Sequence, residues 1–158
     1  MDHRYELTVT WVGNTGDGTS TYRGYRRTST VTAPGPPELP GSADPTFHGD
    51  RGRWNPEQLL LAALAQCHML SYLHVCVTAG VVVTDYVDRA TGSMRTEADG
   101  SGRFTEVVLH PEVVVADGDM MDAAMRAHRR ASELCFIANS VNFPVRHEPI
   151  VRADPSGT

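Results

Sequence analysis

The stretch from Asn55 to Gly80, NPEQLLLAALAQCHMLSYLHVCVTAG, constrains the fold more than any other part of the chain. It predicts one long helix with a defined start: Asn55 as N-cap, Pro56 at the first helical position, and Gln58 three residues after the cap as its capping-box partner. Gly80, which tolerates a left-handed backbone, predicts its end. At the usual rise the helix is about 36 Å long, and its apolar residues lie almost all round the cylinder. Such a helix needs cover on every side. Glu57, Gln58, Gln66, His68 and His74 interrupt the apolar run, which favours a core helix over a membrane span.

The rest of the chain reads mainly as strands, so the fold class expected is α+β in a single domain, 1–158. Residues 4–12 alternate, with Tyr5, Leu7, Val9 and Trp11 on one face, and 21–32 are rich in Thr, Tyr and Val; the turn-forming GNTGDGTS between them predicts a hairpin. Residues 33–53 are broken by prolines and glycines into a long loop, with room for a short strand around Phe47, so 1–54 form an N-terminal hairpin and loop. The central helix is placed at 55–80 and a second, longer hairpin at 81–116. A second helix is placed at 117–136, where Met121, Met125, His128, Ser132 and Cys135 line one face. A final strand at 142–151 and a tail at 152–158 complete the chain.

Charge narrows the function classes. The chain carries 14 basic against 19 acidic residues, a net of −5, and no basic run beyond Arg26-Arg27 and Arg129-Arg130. That argues against a nucleic-acid or anionic-membrane partner. Three cysteines, with no charged-then-apolar leader, suit a reducing cytoplasm better than a disulfide-stapled secreted scaffold. No metal or cofactor is expected: Cys67 with His68, and His74 with Cys76, match no metal-binding spacing, and Met120, Met121 and Met125 suit a core.

The thiols need a reading of their own. Cys67 and Cys76, nine residues apart, stand about 180° round the helix from each other and about 13 Å along it, so they cannot pair. Cys135 is the candidate partner for one of them. Cysteine is also a common core residue, and packing is the alternative for each.

The string NPEQLLLAALAQCHMLSYL, with a Glu ten residues before a Cys on a long helix, together with SELCFIANSVNFPV, resembles the OsmC/Ohr family of thiol peroxidases over nearly the whole chain. The resemblance implies an intertwined homodimer in which antiparallel sheets wrap two long central helices. It also implies that Cys67 attacks an organic hydroperoxide, becomes a sulfenic acid and condenses with Cys135 to a disulfide, which a small or protein-bound dithiol reduces. Helix position agrees with this division of roles. Cys67 lies mid-helix and needs a cation to favour its thiolate, whereas Cys135 lies near a helix C-terminus that opposes ionisation.

In the family an arginine ahead of the central helix, held by the glutamate that matches Glu57, supplies that cation. Here the aligned position is Thr46, with His48 beside it, and the candidates are Arg51, Arg53 and Arg23, the last on the second strand. Glu57 also reads as a first-turn acid complementing the helix dipole. Two further departures are Ser132, where relatives carry histidine, and Phe136, where many carry proline. Leu64, Met69, Leu70 and Phe136 would give an apolar wall suited to an alkyl or aryl peroxide. The same fold would also serve a non-catalytic small-molecule-binding protein or a thiol redox sensor.

Overall fold

A computed structural model describes residues 1–155, and the chain divides into two compact units, Met1–Leu60 and Leu61–Thr158. Residues 156–158, the end of the expected tail, lie outside the described residues.

The first unit is built on a three-stranded antiparallel sheet of β1 (Thr8–Trp11), β2 (Ser29–Thr32) and β3 (Leu39–Gly41), in that order. β1 and β2 pair from Thr8 with Thr32 to Trp11 with Ser29, so the opening hairpin forms with shorter arms than the alternation suggests. Side-chain bonds divert the rest. Trp11 Nε1 donates to the Arg26 carbonyl at 2.8 Å, and Asn14 Oδ1 accepts from the amides of Gly16 and Gly18. Arg23 therefore sits in a turn, not on the second strand.

The strand placed near Phe47 is corrected as well: the third strand is β3, and Pro45–Phe47 is one 3-10 turn. Asp44 caps that turn by accepting from the Thr46 amide at 2.8 Å, and His48 closes it with a left-handed φ of 63°. A Cβ on Gly49 would lie 1.6 Å from the Ala43 carbonyl oxygen, so only glycine fits the closed loop.

α1 (Pro56–Thr78) begins at the reciprocal capping box: the Gln58 amide donates to Asn55 Oδ1 at 2.8 Å, and the Asn55 amide to Gln58 Oε1 at 3.2 Å. At the far end the Val81 amide bonds the Cys76 carbonyl and the Gly80 amide bonds that of Val77, with Gly80 at φ 70°. This is a Schellman closure, and it stops the helix at Thr78.

The second unit holds six strands: β4 (Val83–Asp88), β5 (Thr91–Thr96), β6 (Gly102–Leu109), β7 (Pro111–Val115), β8 (Val145–His147) and β9 (Ile150–Ala153). They form two sheets, ordered β4-β7-β9 and β5-β6-β8. The 81–116 hairpin breaks in both arms, after Asp88 and at His110, where Asp88 Oδ1 accepts from the His110 amide at 2.8 Å. Its two halves enter different sheets. The final strand breaks in the same way around Glu148 and Pro149 into β8, parallel to β6, and β9, parallel to β7. Proline donates no ladder bond, which suits the break. β9 also takes in Arg152 and Ala153, which the tail at 152–158 had included.

α2 (Met121–Leu134) follows a 3-10 turn, Gly118–Met120, capped by Asp117. Its buried face is Ala124, Ala127, His128 and Ala131, while Met121 and Met125 are exposed. The methionine stripe is thus corrected to an alanine stripe: small residues let α2 lie close against β9, and the Tyr72 hydroxyl of α1 reaches the Ala124 carbonyl at 3.1 Å. Around that contact lies the core, with Val75 and Cys76 of α1, Val113 and Val115 of β7, and Val151 of β9. One chain does not cover α1, since Leu70 is 57% and Val77 77% exposed.

Candidate active site

Cys67, midway along α1, and Cys135 are free thiols that neighbour each other in the second unit, close enough for one sulfur to act on the ionisation of the other. Cys135 is the C-cap of α2, where the chain leaves the helix with φ −73° and ψ 105°, and its sulfur accepts from the Ala138 amide at 3.4 Å. Cys135 is 1% exposed, whereas Cys67 is half-buried. Burial first, and the neighbouring Cys67 sulfur second, push the Cys135 thiol up to about 11, with the Ala138 amide opposing in part. At neutral pH Cys135 therefore keeps its hydrogen and can donate it toward Cys67. Cys67 is the more exposed of the two thiols. Cys76 packs in the core against Tyr72, and burial raises its pKa.

The basic candidates gather in the first unit. Arg23, His48 and Arg53 line one recess of about 560 Å³ together with Tyr25, Arg26 and Arg27. Arg53 is held by Asp50 at 3.6 Å and donates to the Ser29 carbonyl at 3.4 Å. Arg27 lies over the rings of Tyr22 and Tyr25, and His48 meets Tyr22 edge-on. Arg51 borders a smaller recess with Trp54 and Gln58. Thr46 spends its hydroxyl on Asp44. Glu57, in the first turn of α1, keeps its Oε2 buried and without a partner among the described residues. The candidates thus fall into two groups, cations in one unit and thiols in the other.

Of the expected apolar wall, Leu64 is fully buried, Met69 half-buried, and Leu70 and Phe136 exposed, Phe136 at 78%. The Ser132 carbonyl accepts the Cys135 amide.

Beside the thiols stands a group that sequence reasoning missed. His68 and His128 are 0% and 4% exposed, and their rings are hydrogen-bonded, Nε2 to Nδ1, at 3.1 Å. The His147 ring lies 4.2 Å from that of His68, and the Tyr72 ring stacks on His128 at 4.0 Å. Burial, then the charges of His147 and His128, push His68 down to about 3. Burial, then His147, pushes His128 down to about 4, and burial lowers His147. All three imidazoles are neutral at pH 7. Among the described residues, no cluster of three His, Cys, Asp or Glu side chains is arranged to hold a metal ion. The available signal was spacing: His68 and Tyr72 on α1, and Ala124 and His128 on α2, are both i,i+4 pairs on one face.

The sequence pattern of the OsmC-like protein family matches residues 48–149, the greater part of the chain. The chain belongs to the OsmC-like family. An OsmC-like protein of unknown function from Vibrio cholerae is 30% identical, with a TM-score of 0.84 over 94% of this chain and 100% of that one. The uncharacterized protein YmaD of Bacillus subtilis is 24% identical over 89% of this chain and 87% of its own length. The organic hydroperoxide resistance protein OhrB of Bacillus subtilis, at 19% identity, shares the fold with a TM-score of 0.61 over 95% of this chain and 98% of that one. The α+β class expected from the strand and helix pattern is the OsmC-like fold.

Proposed function

We propose that this OsmC-like chain reduces organic hydroperoxides with Cys67 as the attacking and Cys135 as the resolving thiol. One observation carries the reading: the half-buried Cys67 neighbours a second thiol, Cys135, that burial keeps protonated. The Cys67 thiolate attacks the terminal peroxide oxygen, an S–O bond forms, the O–O bond breaks, and the alkoxide leaves and takes a proton. Cys135 sulfur then attacks the Cys67 sulfenic acid, forming the disulfide and releasing water. A dithiol, small or protein-bound, restores both thiols, which suits a reducing cytoplasm. Reduced protein should consume tert-butyl or cumene hydroperoxide with a dithiol present; no consumption overturns the reading and leaves the binding role.

The working form in this reading is a homodimer. Leu70 and Val77 on α1, Val9 on β1 and Leu7 just before it all lie open in one chain. We expect a second copy to cover them and to bury more than about 2,000 Å² in total. Light scattering at micromolar concentration should give twice the chain mass, and a monomer would count against it.

The dimer also supplies the cation. Glu57 and Cys67 are about 15 Å apart along one helix, so a site that uses both draws one of them from the other copy. The orphaned Glu57 oxygen is suited to a guanidinium, and Arg23, Arg51 and Arg53 are the candidates, with His48 as the weaker one. One opposite charge at close range lowers a pKa by about one to three units. Removing the correct arginine should slow both the alkylation of Cys67 at neutral pH and peroxide reduction about tenfold. If Ala at 23, 51, 53 and 48 each leave the alkylation profile unmoved, Cys67 has no activating cation among them.

A further inference from the structure

We infer that the buried His68–His128 pair is a positioning device: it sets the register of α2 on α1 and thereby holds Cys135 against Cys67. Its role in turnover rests on the function proposed above; the geometry does not.

Two hydrogen bonds tie the two helices together, His68 to His128 at 3.1 Å and the Tyr72 hydroxyl to the Ala124 carbonyl at 3.1 Å, and Cys67 neighbours Cys135 at the end of the row. As α1 advances, its partners on α2 recede, so the helices run antiparallel. His128 is the one polar residue on the buried face of α2, among Ala124, Ala127 and Ala131. The alanines offer only methyl groups, so two directional bonds define how α2 lies along α1: Tyr72 to the Ala124 carbonyl and His68 to His128. A directional bond between two rings allows one register. The pair leaves His68 Nδ1 and His128 Nε2 buried without partners among the described residues, which an apolar pair of similar size would avoid. Stability alone therefore does not explain two histidines here, whereas a need for one register does.

The thiol pair needs that register. Cys135 lies past the last turn of α2 in extended conformation, so the helix's own hydrogen bonds do not fix its side chain. His128 stands seven residues before it, about 10 Å along the axis, and a slip at His128 carries to Cys135. On the opposite side His147 of β8 packs on His68, and Tyr72 packs on His128, so neither ring turns freely.

The test reads disulfide closure without peroxide. In full-length protein with Cys76→Ala, Cys67 is converted to its mixed disulfide with thionitrobenzoate. Cys135 sulfur then attacks Cys67 sulfur, the protein disulfide forms, thionitrobenzoate leaves as the coloured thiolate, and the Cys135 proton goes to solvent. His128→Phe fills the space but cannot bond, and His128→Gln restores a polar partner. Closure in the Phe variant should slow at least about tenfold, since ångström-scale misplacement of reacting groups costs up to about a hundredfold. The Gln variant should recover much of the rate, with labelling of Cys67 itself little changed in either. Should His128→Phe fail to fold, His68→Phe is read by the same criteria. Closure at the wild-type rate in the Phe variant, or equal slowing in Phe and Gln variants, overturns the proposal. Because thionitrobenzoate replaces the peroxide, a protein that reduces no peroxide still gives a closing rate, and the two failures are separate results.

Discussion

Cys67→Ser should reduce peroxide consumption to background, whereas Cys135→Ser, without added thiol, should consume a single equivalent per chain and then stop. The asymmetry follows from the two sulfurs' surroundings. Cys67 is the half-buried one, the more exposed of the pair, and a serine hydroxyl in its place is too weak an acid to attack an O–O bond. Cys135 is buried and held up to about 11, so it is poorly ionised at neutral pH and cannot substitute as the attacking group. Without Cys135 the first step still proceeds, but the sulfenic acid has no neighbour to condense with and should be trapped by dimedone at Cys67. Cys76, in the core against Tyr72, serves as the control, and Cys76→Ala should leave turnover in place. Consumption that survives Cys67→Ser, or a dimedone adduct at Cys76, would sink the assignment.

What could be read beforehand depended on whether the signal was local. Asn55, Pro56, Gln58 and Gly80 act on backbone groups within a turn of themselves, so both ends of α1 were legible from four residues. The fold class followed from strand and helix periods. Strand breaks were not legible, because the kinks after Asp88 and at Pro149 depend on which sheet each half joins. The buried face of α2 was misread because hydrophobicity favoured Met121 and Met125, whereas close packing against β9 favoured alanine. Cys67 and Cys135 stood out by family likeness, not by spacing. His68 stood out only as a polar break in the apolar helix and a poor metal ligand, and His147 not at all, since their meeting requires α1, α2 and β8 to be in place.

That buried histidine group should make the protein acid-labile below about pH 6, well above the range in which carboxylates titrate. In the unfolded chain each histidine takes a proton near the ordinary value of 6.5, while in the fold burial holds His68 to about 3 and His128 to about 4, and lowers His147. Between those limits the unfolded chain binds protons that the folded chain refuses, so stability is complete above about 6.5 and falls as pH falls. The other titratable groups on the stack do not cancel this. Tyr72 and Tyr86 are pushed up by burial and stay neutral throughout, as does Cys76. Asp88 works in the opposite sense, since burial raises its pKa and the folded form takes up its proton early, but it is one group and the His110 amide partly restores it. At about 1.4 kcal/mol per unit, with His68 and His128 sharing one hydrogen bond and so not adding fully, the loss by pH 4 is on the order of 5 kcal/mol, comparable with the whole stability of a domain. Denaturant unfolding at fixed protein concentration should show an uptake of about two protons on unfolding near pH 5, and His128→Phe should lower it by about one. A transition midpoint that stays level from pH 7 to pH 4.5 would mean that the imidazoles protonate in the folded protein, and the stack could not then be the closed, neutral hinge between α1 and α2.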